Sequence, residues 1–381
     1  MKNTSILLFL FILFACKQEK KEGFPVVEES RSVSITHAKG FRIEHSGTGL
    51  TLIKITSPWP NSETAFTYAL VPKEKMASIS LSRDAYDAIV AVPVEHIVVT
   101  STTHIPALEA LGVADRLVGF PQTDFISSDY TRKRIDQGKV QELGSNENIN
   151  TERVIALNPE VVVGFGINNK NNAYTTLKKS RVPVVYNGDW TEETPLGKAE
   201  WVKFFAPFFG LEKEADSIFG QIESAYNDAK SLGKKAGEKP TVLTGGLFKD
   251  VWYVAGGKSW MARFLEDAHT QYLWNENQET GSLSLSLESV LDRASEAEFW
   301  LNPSMLTSYD AMNEANKHYQ EFGAFKNKKV YSNTIAKGAT GGLLFYEQAP
   351  NRPDLVLKDL IHIFHPELLP DHVPVFFKPL N

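Results

Sequence analysis

Cysteine is almost missing from this chain: one residue, Cys16, in 381. No disulfide can form within it, so the fold must rest on its apolar core. A basic surplus is missing too. Lys and Arg number 40 against 46 Asp and Glu, a net charge of -6, which argues against a nucleic-acid binder with its basic face. The apolar run at residues 6–15 makes roughly 15 Å of helix, half of a bilayer core of roughly 30 Å, and reads as a signal-peptide core rather than a span. Enzyme signatures are also lacking. There is no GxSxG nucleophile elbow, no Walker A sequence and no HExxH. The nine histidines are scattered and none forms an HxH pair, so no bare-metal site is expected. His362 and His365 share a helix face, but Pro366 ends that helix, and a helix-end role suits them better. Low-complexity segments and short-period repeats are absent outside the Lys/Glu-rich stretch at 17–23.

What is present suits two lobes. Hydrophobic residues make up 42% of the chain, enough for a core in each of two α/β units. Leu13-Phe14-Ala15-Cys16 resembles the bacterial lipobox. The resemblance implies that residues 1–15 are cut away, that Cys16 is lipidated and holds the protein to a membrane, and that residues 16–30 are a tether. Lys17-Gln18 lacks an aspartate retention signal, which leaves the outer membrane open as the site of anchoring.

Residues 31–99 carry alternating runs. Phe41-Arg42-Ile43-Glu44 and Thr51-Leu52-Ile53-Lys54-Ile55 read as half-buried strands around the turn Ser46-Gly47-Thr48-Gly49, and 64–72 as a third. From residue 97 the pattern becomes strand–helix–strand, with strands at 97–99, 117–120, 161–164 and 182–186 and helices around 108–111 and 151–157. Between 195 and 236 there is no strand signal. Ala215, Ile218, Phe219, Ile222 and Tyr226 form one apolar stripe on a helix over 212–235, roughly 35 Å long. The α/β pattern restarts at 241 and ends with a helix over 355–364. The expected fold is α/β: two Rossmann-like lobes with mostly parallel sheets, at 31–194 and 239–381. Linking helices at 195–238, one of them long, join the lobes, and extra strands precede the first.

Residues 97–120 (IVVTSTTHIPALEALGVADRLVGF) and 150–163 (NTERVIALNPEVVV) resemble the opening signatures of the solute-binding proteins that serve ferric-siderophore, haem and cobalamin ABC importers. Residues 256–269, 286–292 and 353–366 (PDLVLKDLIHIFHP) match later ones, so the resemblance covers about residues 95–370. It implies two lobes on one rigid helix, a ligand held between them, and docking on an ABC permease with its ATPase. It implies no catalysis and no resident cofactor. The ligand is expected to be a ferric siderophore, with cobalamin or haem as alternatives, and the protein a monomer. Members of the family carry a docking glutamate on each lobe. Glu266 takes the second-lobe place; the first-lobe place holds Pro106, and Glu109, nearly a turn away, is its substitute.

Candidate ligand contacts come from position. His104 follows a strand end, where open α/β sheets present ligands, although a satisfied loop histidine fits as well. Trp190, Trp252, Tyr253, Trp260 and Tyr346 lie near strand ends or glycine turns and could wall a cleft or fill a core. Arg352, with Lys249, Lys258 and Arg263, could meet an anionic chelate. A hydrolase on the same scaffold would have to use Ser101 or Thr102 with His104. A ligand-sensing lipoprotein without a permease is the third reading, kept open by Pro106.

Overall fold

The structure, a computed structural model, describes residues 31–381 apart from 48, 80 and 169. The leader, Cys16 and the tether lie outside the described residues.

The described residues open with a five-stranded sheet in sequential order: Arg31–Ser32, Phe41–His45, Thr51–Ile55, Phe66–Pro72 and Ala88–Val92. Its alternation works as expected. Phe41 and Ile43 are buried with Arg42 exposed between them, and Ile53 and Ile55 are buried around Lys54. Lys54 reaches across the pair to Glu44 at 2.8 Å. The final strand, Ala88–Val92, pairs parallel with Phe66–Pro72.

The first lobe's central sheet is parallel throughout, in the order Val184–Asn187, Val161–Phe165, Ile97–Val99, Leu117–Phe120, Gln141–Glu142. Apolar runs without alternation fit strands covered on both faces, and Ile97, Val98, Val99 and Val161 to Val163 are all buried. The chain enters at Ile97–Val99, winds to one side, then returns to the other. The strand order therefore reverses beside the loops that follow Val99 and Phe165, where sheets of this kind leave a crevice.

The second lobe repeats the plan: Gln271–Tyr272, Thr241–Thr244, Phe299–Leu301 and Val330–Ser332 are parallel, and Lys378–Pro379 closes the edge antiparallel. A small antiparallel sheet of Gly246–Phe248, Val251–Ala255 and Ser282–Leu285, unforeseen in the sequence, sits in front of it. Gly245 makes this sheet possible. Its φ is +75°, and a Cβ there would lie 1.7 Å from the Tyr253 carbonyl oxygen.

Between the lobes run short helices at Pro195–Ala199 and Val202–Phe205, then the linking helix Glu212–Gly233. Its 22 residues span about 33 Å. Ala215, Phe219 and Tyr226 of the stripe are buried, and Ile218 and Ile222 half-buried. The helix is tied to both lobes. His37 of the first lobe bonds Glu223 at 2.6 Å, while Tyr226 and Lys230 hold second-lobe Asp267 at 2.6 and 2.8 Å. The helix also lies along Pro353–Phe364 of the second lobe.

Candidate ligand-binding cleft

A cleft of about 900 Å³ opens between the lobes. The first lobe supplies Trp59, Asn61, Trp190 and Glu192, and the second supplies Tyr253, Ser259, Trp260 and Tyr346. A smaller compartment of about 480 Å³ adjoins it at the crevice of the parallel sheet, lined by Thr100 to Thr102, Phe120, Phe125 and Phe165 against Met305, Lys337 and Leu343. Tyr346 borders both spaces. Phe165 and Trp190, one in each wall, pack with ring centroids 5.6 Å apart.

Four of the aromatic residues singled out in the sequence converge here: Trp190, Tyr253, Trp260 and Tyr346. The last is 56% exposed and Tyr253 41%, so both offer ring surface to a ligand. Trp252 does not join them. It pairs with Leu285 in the small sheet and alternates with Tyr253, so the two rings must face opposite ways. Trp252 is fully buried, stacks on Trp300 at 5.2 Å, and gives its indole N–H to the Thr244 carbonyl.

His104 is a second correction. It opens the helix His104–Ala110, and its ring turns into the first-lobe core, edge-on to Phe205 at 5.4 Å. Burial lowers its pKa to about 4, only partly offset by the nearby Asp189 charge. Ser101 and Thr102 line the smaller compartment but His104 does not, so no nucleophile–base pair faces the cleft from these residues. Arg352 is the third correction. Its guanidinium is taken by Asp354, Nε to Oδ1 at 2.9 Å and Nη2 to Oδ2 at 2.8 Å, and it borders a different cavity. Arg263 pairs with Glu266 on the surface, and Lys249 lies over Phe248.

Among the cations the sequence did not flag is Lys198, on the short helix Pro195–Ala199. Its ammonium donates to the Asp189 and Trp190 carbonyls at 3.2 and 2.9 Å and lies 5.2 Å from the centroid of Trp260. Burial lowers its pKa to about 8, with Asp189 and Glu192 pulling the other way. Only its placement in the fold marks it, since nothing in the helical stretch around it singles out one lysine.

Behind the cleft, against the linking helix, lies a cavity of about 610 Å³ that holds Pro106, Glu109, Ile222, Glu347 and Arg352. Here the lobes are fastened. Glu347, 1% exposed, accepts the backbone N–H groups of Ser127 and Ser128 from the other lobe. Burial raises its pKa to about 7, and the neighbouring Glu109 adds to the rise. Thr340 and Asn351 donate across the lobes to the carbonyls of Asp124 and Thr103, each at 2.8 Å. Gly342 permits this approach, for a Cβ there would meet the Phe125 oxygen at 2.3 Å. Glu109 is occupied by the hydroxyls of Ser128 and Thr131. Glu266 stands exposed in the last turn of Trp260–Asp267.

Among the described residues no group of three or more His, Cys, Asp or Glu side chains is placed to hold a metal ion. His362 and His365 serve helix-end contacts, His362 to the Leu369 carbonyl at 2.7 Å and His365 to that of Ala268 at 3.1 Å. No helix among the described residues is long and apolar enough to cross a membrane.

Two α/β lobes on one strut, facing each other across a ring-lined cleft, make the architecture of a solute-binding protein. The profile of the periplasmic binding protein family matches residues 97–334, and the chain belongs to that family of transport solute-binding proteins. An uncharacterised lipoprotein of Methanocaldococcus jannaschii is 28% identical over 303 residues, 77% of this chain and 70% of the relative. A vitamin B12-binding protein of Vibrio parahaemolyticus is 23% identical over 63% of this chain and 81% of its own length. The crystal structure of a possible iron-binding, periplasmic solute-binding protein of Staphylococcus epidermidis superposes with a TM-score of 0.55 at 20% identity, covering 72% of this chain and 99% of that one.

Proposed function

We propose that this protein is the membrane-tethered, non-enzymatic solute-binding component of an ABC importer, and that it captures a metal chelate, a ferric siderophore first among them, between its lobes. The observation that carries the reading is the cleft itself. Its two spaces are far larger than a bare ion needs, and they present exposed rings, with the cation Lys337 in the smaller one. Ligands of that kind are flat, bulky and partly anionic. Cobalamin is the second reading, favoured by the similarity to the vitamin B12-binding protein of Vibrio parahaemolyticus. Cys16 would carry the lipid anchor. Exposed Glu266 would meet the permease, whereas Glu109 is engaged by Ser128 and Thr131 and would have to let them go to dock. The strut, tied to both lobes, supports ligand capture with little change in the angle between lobes.

The test is a titration of the purified full chain with ferric catecholate, ferric hydroxamate, haem and cobalamin, followed by tryptophan fluorescence. Trp190 and Trp260 should be quenched by one class with saturation at one equivalent, and the same compound should raise the melting temperature. If none of the four classes quenches or stabilises, the proposal is wrong.

A further inference from the structure

The family profile begins at residue 97, yet the larger space in the cleft takes part of its wall from before that point. The loop after Thr51–Ile55 brings Trp59, Asn61 and Ser62 to the rim, opposite Tyr253 and Ser282 of the small antiparallel sheet. This space therefore depends on the N-terminal sheet, while the smaller one takes no wall residue from before residue 97.

The two spaces differ in chemistry. Phe120, Phe125, Phe165, Met305 and Leu343 make the smaller one apolar, with Lys337 as its cation. In the larger, Lys39 and Lys198 are balanced by Glu192 and Glu193, so no net charge is called for. Its other polar groups are neutral amides and hydroxyls, among them Asn61, Thr191, Thr280, Asn302 and Asn333. Indole and phenol faces stand between them, and the indole N–H of Trp190 is buried with no acceptor among the described residues. Flat apolar platforms flanked by neutral donors and acceptors suit a ring whose faces carry C–H groups and whose edge carries hydroxyls.

We infer that the N-terminal sheet adds a subsite for the glycosyl, hydroxyl-rich part of a two-part ligand, whose aromatic core sits in the smaller space across Tyr346. The inference rests on reading the cleft as the ligand site, and goes further in naming what the larger space selects.

A matched pair tests it: a ferric tris-catecholate siderophore and the same chelate carrying glucosyl groups, titrated against the full chain. The metal-free pair 4-nitrophenol and 4-nitrophenyl glucoside runs alongside. The glucosylated chelate should bind about tenfold more tightly than the bare one, the scale of one or two added hydrogen bonds. Trp59→Ala should bring the two within about twofold. Trp59 is only 8% exposed and packs on Phe66 and Tyr186, so its loss could disturb the fold. Asn61→Gly is the second variant: it removes the amide and keeps a residue at home with the φ of 57°. Equal binding of both chelates, or a preference that survives both substitutions in folded protein, overturns the subsite and leaves chelate capture standing. Binding of the glucoside but of no chelate, lost in Asn61→Gly, supports the subsite and overturns chelate capture. Binding of neither pair overturns both.

Discussion

Tyr346 and Glu347 are neighbours on one short helix, Leu344–Gln348, and they serve the two sides of the gap between the lobes. Tyr346 stands in the front cleft, more than half exposed. Glu347 is buried in the rear, where it holds backbone N–H groups of the opposite lobe. In front, side chains face open space and leave capacity for a guest. Behind, Arg352 is taken by Asp354, and Glu109 by Ser128 and Thr131. Similar residue types thus divide between reception and fastening according to whether their hydrogen bonds are already made.

Five substitutions sharpen this contrast. Trp252→Ala empties the stack against Trp300 and should cost about 3–5 kcal/mol in denaturant melts, whereas Trp260→Ala on the cleft wall should cost far less stability and weaken ligand instead. Glu347→Ala leaves two backbone donors without their acceptor and should cost about 1–3 kcal/mol. Tyr346→Ala should leave the melt unchanged and weaken ligand about tenfold or more, because the ring borders both compartments. Arg352→Ala should be the mildest for binding, with ligand affinity within about twofold of wild type. An affinity loss there comparable to that of Tyr346→Ala would erase the division between front and rear.

The rear latch also carries a pH signature. Burial lifts Glu347 from an ordinary value of 4.5 to about 7, so the folded protein holds its proton more firmly than the unfolded chain does. That contribution is complete below about pH 4.5 and fades as pH rises through 7. Melting curves of wild type and Glu347→Gln between pH 5 and 8 check it on pH values chosen around that window. The wild type should lose stability relative to the variant as pH rises, and parallel curves would remove Glu347 from the account.

Much of the fold could be read from periodicity, because its strands and the linking helix announce themselves. The hairpin over Phe41–His45 and Thr51–Ile55, the buried runs at Ile97–Val99 and Val161–Phe165, and the 22-residue helix all follow from patterns of two, none and 3.6. Asp129–Asp136 did not, since DYTRKRID has no apolar stripe to betray a helix. The small antiparallel sheet was hidden too, with its turn at Lys249 in a left-handed conformation that glycine usually marks. Site residues were harder. A strand end near an aromatic is visible in sequence, but which way the ring points is not. Alternation sends Trp252 inward beside outward Tyr253, and helix entry at His104 turns its imidazole into the core. Lys198 and Trp59 become cleft residues only through contacts made across long stretches of chain.

The most direct measurement is an iron-edge anomalous map from crystals of the full chain grown with the ferric chelate that quenches its tryptophans. A single iron in the front cleft, with its chelate against Tyr346, is the result the account predicts. Iron lodged in the rear cavity beside Glu347 and Arg352, or on an outer surface of either lobe, would contradict it.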